Sequence, residues 1–312
     1  MHRRKIGMLL IGLACVCTGD AGLAVPPPEI LGALQSGLDA ALEIGGDSAS
    51  AEKGTNGGSS SAATAFPSHK VALVSRVPLS AFPSGSSGAN EVWGYVSPSG
   101  REYGILGMRR GTGFVDITDP ANPVIVGDIP GNVNTIWRDM ATYNEHAYIV
   151  TDGSGIGMQV VDLTDIDNGN VSLVTVMTQS GFSRAHNVFV NAESGFAYAV
   201  GTNLGGIVAI DVNVPASPQI VGIWNQSSVH DIFVHSYQQG NNAGREIAFA
   251  FAGGAGLKIV DVTDKSNMFL VSTFHYPNRT YCHQGWLSED RRWLYLGDEL
   301  DELEHTVNRT TT

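Results

Sequence analysis

Five short polar runs recur along the chain: Asn90-Glu91-Val92, Arg138-Asp139-Met140, His186-Asn187-Val188, His230-Asp231-Ile232 and His283-Gln284-Gly285. Their second residues are spaced by 48, 48, 44 and 53 positions. Imidazoles and a carboxylate brought together could hold a divalent metal ion, since neutral imidazole is the common nitrogen donor and Asp completes zinc-like or iron-like sets. His186, His230, Asp231 and His283 are therefore candidate metal ligands. Glu91, Arg138, Asp139, Asn187 and Gln284 are candidates for the rest of one ring. The same residue types at a strand start could instead bond adjacent turns and repeats, the commoner use of such groups. His146, His235 and His275 fall off the repeated position and read as ordinary surface or loop histidines.

A second cluster is the acidic run Asp298-Glu299-Leu300-Asp301-Glu302. Asp298, Glu299, Asp301 and Glu302 form an oxygen-rich loop that could hold Ca²⁺, although the EF-hand spacing and its Gly are absent; a solvated acidic loop is the plainer reading. Gly153-Ser154-Gly155-Ile156-Gly157 has no helix pattern after it, so phosphate cradling is unsupported. Ser84-Gly85-Ser86-Ser87-Gly88 contains a Gly-x-Ser-x-Gly run without the strand-turn-helix context of a nucleophile elbow. No Walker motif and no His-Glu-x-x-His occur. Cys282, beside His283, reads as a small buried filler rather than a nucleophile.

The polar runs need strands to position them. Gly113-Phe114-Val115-Asp116-Ile117-Thr118-Asp119 returns as Gln159-Val160-Val161-Asp162-Leu163-Thr164-Asp165, as Val208-Ala209-Ile210-Asp211-Val212, and as Lys258-Ile259-Val260-Asp261-Val262-Thr263-Asp264. The motif Asp residues are 46, 49 and 50 positions apart. A period in the forties predicts one four-stranded blade per repeat. Each unit reads as a paired-strand segment, then the β-branched motif strand, then a turn begun by the Asp, then a second apolar run such as Val124–Ile129 or Met268–Phe274. The fold class is all-β: a β-propeller with about five blades present, the last incomplete. An array of immunoglobulin-like sandwiches fits less well, lacking a Cys-Trp-Cys pattern. In a propeller the innermost strand of each blade lines the axis, so the five polar runs would ring one mouth of a central channel.

Composition agrees. Only 15% of the 312 residues are charged and 38 are Gly, as many short strands and tight turns require. The net charge of −12 argues against nucleic acid and against an anionic membrane surface. Residues 1–24 read as an export signal, with Arg3, Arg4 and Lys5 before the apolar run Ile6–Cys17, which is short for a membrane span. Residues 25–68 read as a Gly/Ser/Ala-rich flexible linker with a short amphipathic helix around Glu29–Ile44. Residues 69–312 form the repeat domain. Lys70–Phe82 reads as a stray strand that could pair into the final blade and cover its edge. After the signal, Cys282 is the lone cysteine, so no intrachain disulfide holds the domain.

These units resemble the LVIVD repeat. The combination of Trp137-Arg138-Asp139, His186-Asn187-Val188, His230-Asp231-Ile232, His283-Gln284-Gly285 and Tyr295-Leu296-Gly297-Asp298-Glu299-Leu300-Asp301-Glu302 resembles the choice-of-anchor B family of exported bacterial proteins, over residues 69–312. The resemblance implies secretion or cell-surface display and supplies no enzyme activity. It also implies further repeats beyond the acidic run, so the chain looks cut short relative to a complete ring. Three functions follow as expectations: a non-catalytic module binding a protein or glycan at the cell surface, a metal-dependent extracellular enzyme with a His/Asp site at the channel mouth, or a purely structural spacer.

Overall fold

The structure, a computed structural model, describes residues 73–131 and 133–301. The expected signal, linker and amphipathic helix lie outside these residues, as does Glu302. The blades belong to a compact unit beginning at Val77.

Four antiparallel meanders are complete. The first holds β1 (Ala89–Val96), β2 (Glu102–Met108), β3 (Gly111–Asp116) and β4 (Val124–Pro130). The second holds β5 (Arg138–Tyr143), β6 (His146–Thr151), β7 (Met158–Asp162) and β8 (Ser172–Met177). The third holds β9 (Asn187–Asn191), β10 (Phe196–Val200), β11 (Ile207–Asp211) and β12 (Gln219–Trp224). The fourth holds β13 (Asp231–Ser236), β14 (Glu246–Phe251), β15 (Leu257–Asp261) and β16 (Phe269–Phe274). A fifth sheet, β17 (Cys282–Leu287) with β18 (Leu294–Asp298), has two strands among the described residues. First strands touch in chain order, β1 on β5, β5 on β9, β9 on β13 and β13 on β17. That is a β-propeller, with the first strand of each blade innermost.

The repeated Asp works as the turn residue its position predicts. Asp116, Asp162, Asp211 and Asp261 each accept, through Oδ1, the backbone N–H two residues on, at 2.8–3.0 Å. Each carboxylate thereby starts the connection to the outer strand. The motif strands are almost wholly buried, because blades pack on both of their faces: Val160, Val208 and Val260 are 0% exposed. Every third-to-fourth strand pair also carries a register shift just before the motif Asp, so that Val126, Val174, Val221 and Val271 are extra residues on the outer strand. A bulge at one place in each blade adds the twist that a radial array needs.

Blades are also tied by buried polar groups. The Tyr198 hydroxyl donates to Glu246 Oε1 of the next blade at 2.6 Å, and Lys265 pairs with Glu246 Oε2 at 2.7 Å. Tyr103 likewise reaches Asp167, and Tyr148 the carbonyl of Val212.

One expectation fails. Residues 73–82 form no strand; Leu79–Ala81 is a 3₁₀ turn and Phe82, 3% exposed, packs against the first blade. A Cβ on Gly113 would lie 2.3 Å from the Phe82 ring, so this glycine is what admits it. The apolar alternation of Lys70–Phe82 could not distinguish a ladder strand from an irregular plug. Among the described residues no helix is long and apolar enough to cross a membrane.

Candidate functional site at the axial mouth

The five polar runs do converge. Asn90, Glu91, Trp137, Asp139, His186, Asn187, His230, Asp231, His283 and Gln284 line one recess of about 160 Å³ where the inner strands begin. Both residues of a run can reach the recess where the ladder is interrupted. Register shifts fall at Asn90 in β1 and at His283 in β17, while His186 and His230 precede their strands. The second blade differs. Arg138 is laddered regularly to Thr151, so strand alternation turns Asp139 toward the recess and Arg138 away from it. Arg138 is 1% exposed and donates from Nε to the Met108 carbonyl at 3.0 Å, while both terminal nitrogens are buried without a hydrogen-bond partner. The expectation that Arg138 belongs to the ring is therefore wrong, and Trp137 takes its place, 50% exposed on the rim.

Three histidine rings stand in a row along the recess wall, each tilted to the next. The His186 and His230 ring centroids are 4.3 Å apart, and those of His230 and His283 4.5 Å. Asp152 Oδ2 lies 3.0 Å from His186 Nδ1, and this bond holds the His186 pKa above its ordinary value. Gly201, at φ +62°, permits the approach, since a Cβ there would lie 2.4 Å from the His186 Cβ. His230 sits in the middle of the row. Burial, then any charge on its two neighbours, pushes its pKa down to about 4, so at neutral pH it is an uncharged acceptor and donor. Its Nδ1 is 3.3 Å from the His283 carbonyl. Burial lowers His283 as well.

The carboxylates lie on the strand side. Asp139 is 9% exposed and its Oδ2 accepts the Val188 N–H at 2.6 Å. Burial raises its pKa well above the ordinary value, and the Glu91 and Asp231 charges add to this. Asp231 is pushed up to about 7, chiefly by burial. Glu91 is raised for the same reason. One layer further along the axis, the rings of Phe189, Phe233 and Trp286 meet tilted or edge-on, with centroids 4.6–5.9 Å apart. Strand alternation places these rings two residues beyond Asn187, Asp231 and Gln284.

The metal set expected from His186, His230, Asp231 and His283 shares this recess but is not preassembled. Among the described residues no three His, Cys, Asp or Glu side chains stand where one metal ion could hold them together. The neighbouring rings are tilted by 51° and 38° to one another. The acidic run is dispersed. Asp298 accepts from the Tyr281 and Thr280 N–H groups at 2.8 and 2.9 Å and from the Tyr276 hydroxyl at 2.7 Å. Glu299 turns toward His283 Nε2 at 3.6 Å, and Asp301 is 2% exposed. Cys282 is buried, which pushes its thiol pKa up, as a packing residue requires. Sequence reading missed Asp152 and the rim role of Trp137. Asp152 directly follows the second strand of its blade, as Glu299 does in the fifth, and an aromatic at the position held by Ala89, Ala185 and Val229 in other blades was a signal for Trp137.

Residues 248–275, spanning β15, β16 and most of β14, match the LVIVD repeat. No curated protein matches the chain. A functionally unknown protein from Desulfotomaculum acetoxidans superposes with a TM-score of 0.50 at 12% identity, over 66% of this chain and 62% of that one. A periplasmic gluconolactonase from Pseudomonas aeruginosa gives 0.49 at 10% identity, over 67% and 63%. The chain thus spans less than two thirds of either neighbour. At such identities the likeness concerns the fold alone. Fold and motif together define the class: a repeat β-propeller protein with an LVIVD repeat in its fourth blade.

Proposed function

We propose that this protein is an exported, non-catalytic β-propeller module that displays a ligand-binding recess at one mouth of its axis, outside the cell. The observation that carries the reading is the convergence of residues from all five inner strands on one concavity. A purely structural spacer has no need to gather six ionisable side chains and an exposed indole there, whereas binding sites are concavities with a few convergent polar groups. Export rests on the basic and apolar residues of positions 3–17. The metal-dependent enzyme is the weaker reading, because among the described residues no three potential ligands stand where one ion could hold them.

The test uses the full chain on glycan and peptide arrays beside an Asn187→Trp variant, which plugs the recess. A ligand captured by the wild type and lost by the variant is expected. Ligands that bind both proteins equally, or no ligand at all, would remove the proposal.

A further inference from the structure

Resting on that binding reading, we infer that the recess takes an organic cation, an ammonium or guanidinium group carried by a basic side chain of a partner protein or by a free amine. Three features of the lining select this chemistry. First, Glu91, Asp139 and Asp231 reach one recess from three blades, and no Lys or Arg lines it. Arg138, the one cation that the repeated position offers, is turned into the body between blades. The carboxyl groups therefore share a partly dry site that disfavours their charged forms, and His186, the nearest protein cation, is already engaged by Asp152; a bound cation with N–H donors compensates them as they ionise.

Second, the same recess offers two neutral imidazoles, His230 and His283, and aromatic surface. The adjacent rings of His186, His230 and His283 and the indole of Trp137, whose ring centroid is 6.2 Å from that of His186, supply this surface. Aromatic faces beside carboxylates attract organic cations. Third, the described side chains do not converge as metal ligands do, and the recess of about 160 Å³ has room for a group of several heavy atoms. A chain with net charge −12 also draws cations toward it.

The test is calorimetric titration of the full chain with N-α-acetyl-lysine methylamide, the corresponding arginine derivative and putrescine. The ε-acetylated lysine derivative serves as the neutral control, and zinc chloride is titrated alone. Wild type binds at least one amine or guanidine and not the neutral control. The Glu91→Gln and Asp231→Asn variants each weaken binding by about tenfold or more. Cooperative melting at or above the wild-type temperature shows that they remain folded. Preference for the lysine or arginine derivative assigns a partner's side chain as the source; preference for putrescine assigns a free amine. Absence of amine binding, equal binding of the neutral control, indifference to both variants, or binding of zinc alone overturns the inference. If amines fail while an array ligand is still lost in Asn187→Trp, only the cation assignment falls. If no ligand responds to Asn187→Trp, the binding reading falls with it.

Discussion

Asp139 of the second blade accepts the backbone N–H of Val188 in the third, at 2.6 Å, while facing the recess. Asn90 repeats the relationship one blade earlier, accepting the Arg138 N–H at 3.2 Å. The repeated polar position thus ties neighbouring inner strands as well as lining the mouth, so the structural and the binding readings of these residues are both met by one geometry.

Removing the Asp139 tie should be costly. Asp139→Ala leaves the Val188 N–H without its acceptor in a buried setting and is expected to destabilise the fold by about 2–3 kcal/mol. Asp139→Asn, whose amide oxygen can still accept, should recover most of it. Denaturant unfolding of the two variants measures the difference; equal loss in both would contradict the assignment.

The Asp231 carboxyl has a stability signature in pH. Its folded pKa of about 7 lies above its ordinary value of 3.8, so between those values the folded state holds a proton that the unfolded state has released. The contribution of Asp231 to stability therefore falls as pH rises from 4 to 7 and is flat above. Asp231→Asn should match wild type near pH 4 and exceed it at pH 8, by roughly 1–2 kcal/mol given the opening to solvent. Melting temperatures across that range decide it.

The histidine row should titrate unevenly. His230 is expected to stay neutral down to about pH 5, while His186 protonates above its ordinary 6.5. The stabilisation from the Asp152–His186 pair is present below 6.5 and is lost as pH rises through the folded His186 value. Asp152→Asn should bring the His186 titration back down. Proton resonances of the imidazole Cε1–H groups report each pKa; matching midpoints for the two rings would refute the arrangement.

Arg138 is a liability of the fold. Its guanidinium is buried, its pKa is pushed down to about 10 by burial, and its two terminal nitrogens have no hydrogen-bond partner. Arg138→Met keeps the length and removes an uncompensated charge, so it is expected to raise the melting temperature. A lower melting temperature would mean that the single Nε bond to Met108 matters more than the stranded charge.

Tyr198→Phe tests the tie between the third and fourth blades. The hydroxyl donates to a carboxylate in the interior, and its loss should cost about 1.5–3 kcal/mol, read by the same unfolding curves. A change under half a kcal/mol or so would place the strength of that joint in the apolar packing instead.

Much of this was legible in the residues themselves. Repetition of Val-Asp-Val-Thr-Asp carries its own local physics: β-branched residues favour strands, and an Asp that caps its own turn needs no distant partner. The period then predicts blades, and the polar position preceding each inner strand predicts a shared mouth. Glu91, Asp139, His186, Asn187, His230, Asp231, His283 and Gln284 were therefore identifiable before any coordinates.

What the tertiary structure alone decided is which way each side chain at that mouth turns and what it meets there. Whether Arg138 enters the ring depends on one regular residue pair in β5, and whether His283 does depends on one bulge in β17. Slipping a strand by one residue reverses every side chain, yet leaves composition and period untouched. Alignment of the imidazoles in a row, desolvation of Asp231 and the burial of Phe82 against Gly113 are relations between segments far apart in the chain. Local patterns specify the blade; distances across the axis belong to the assembled ring.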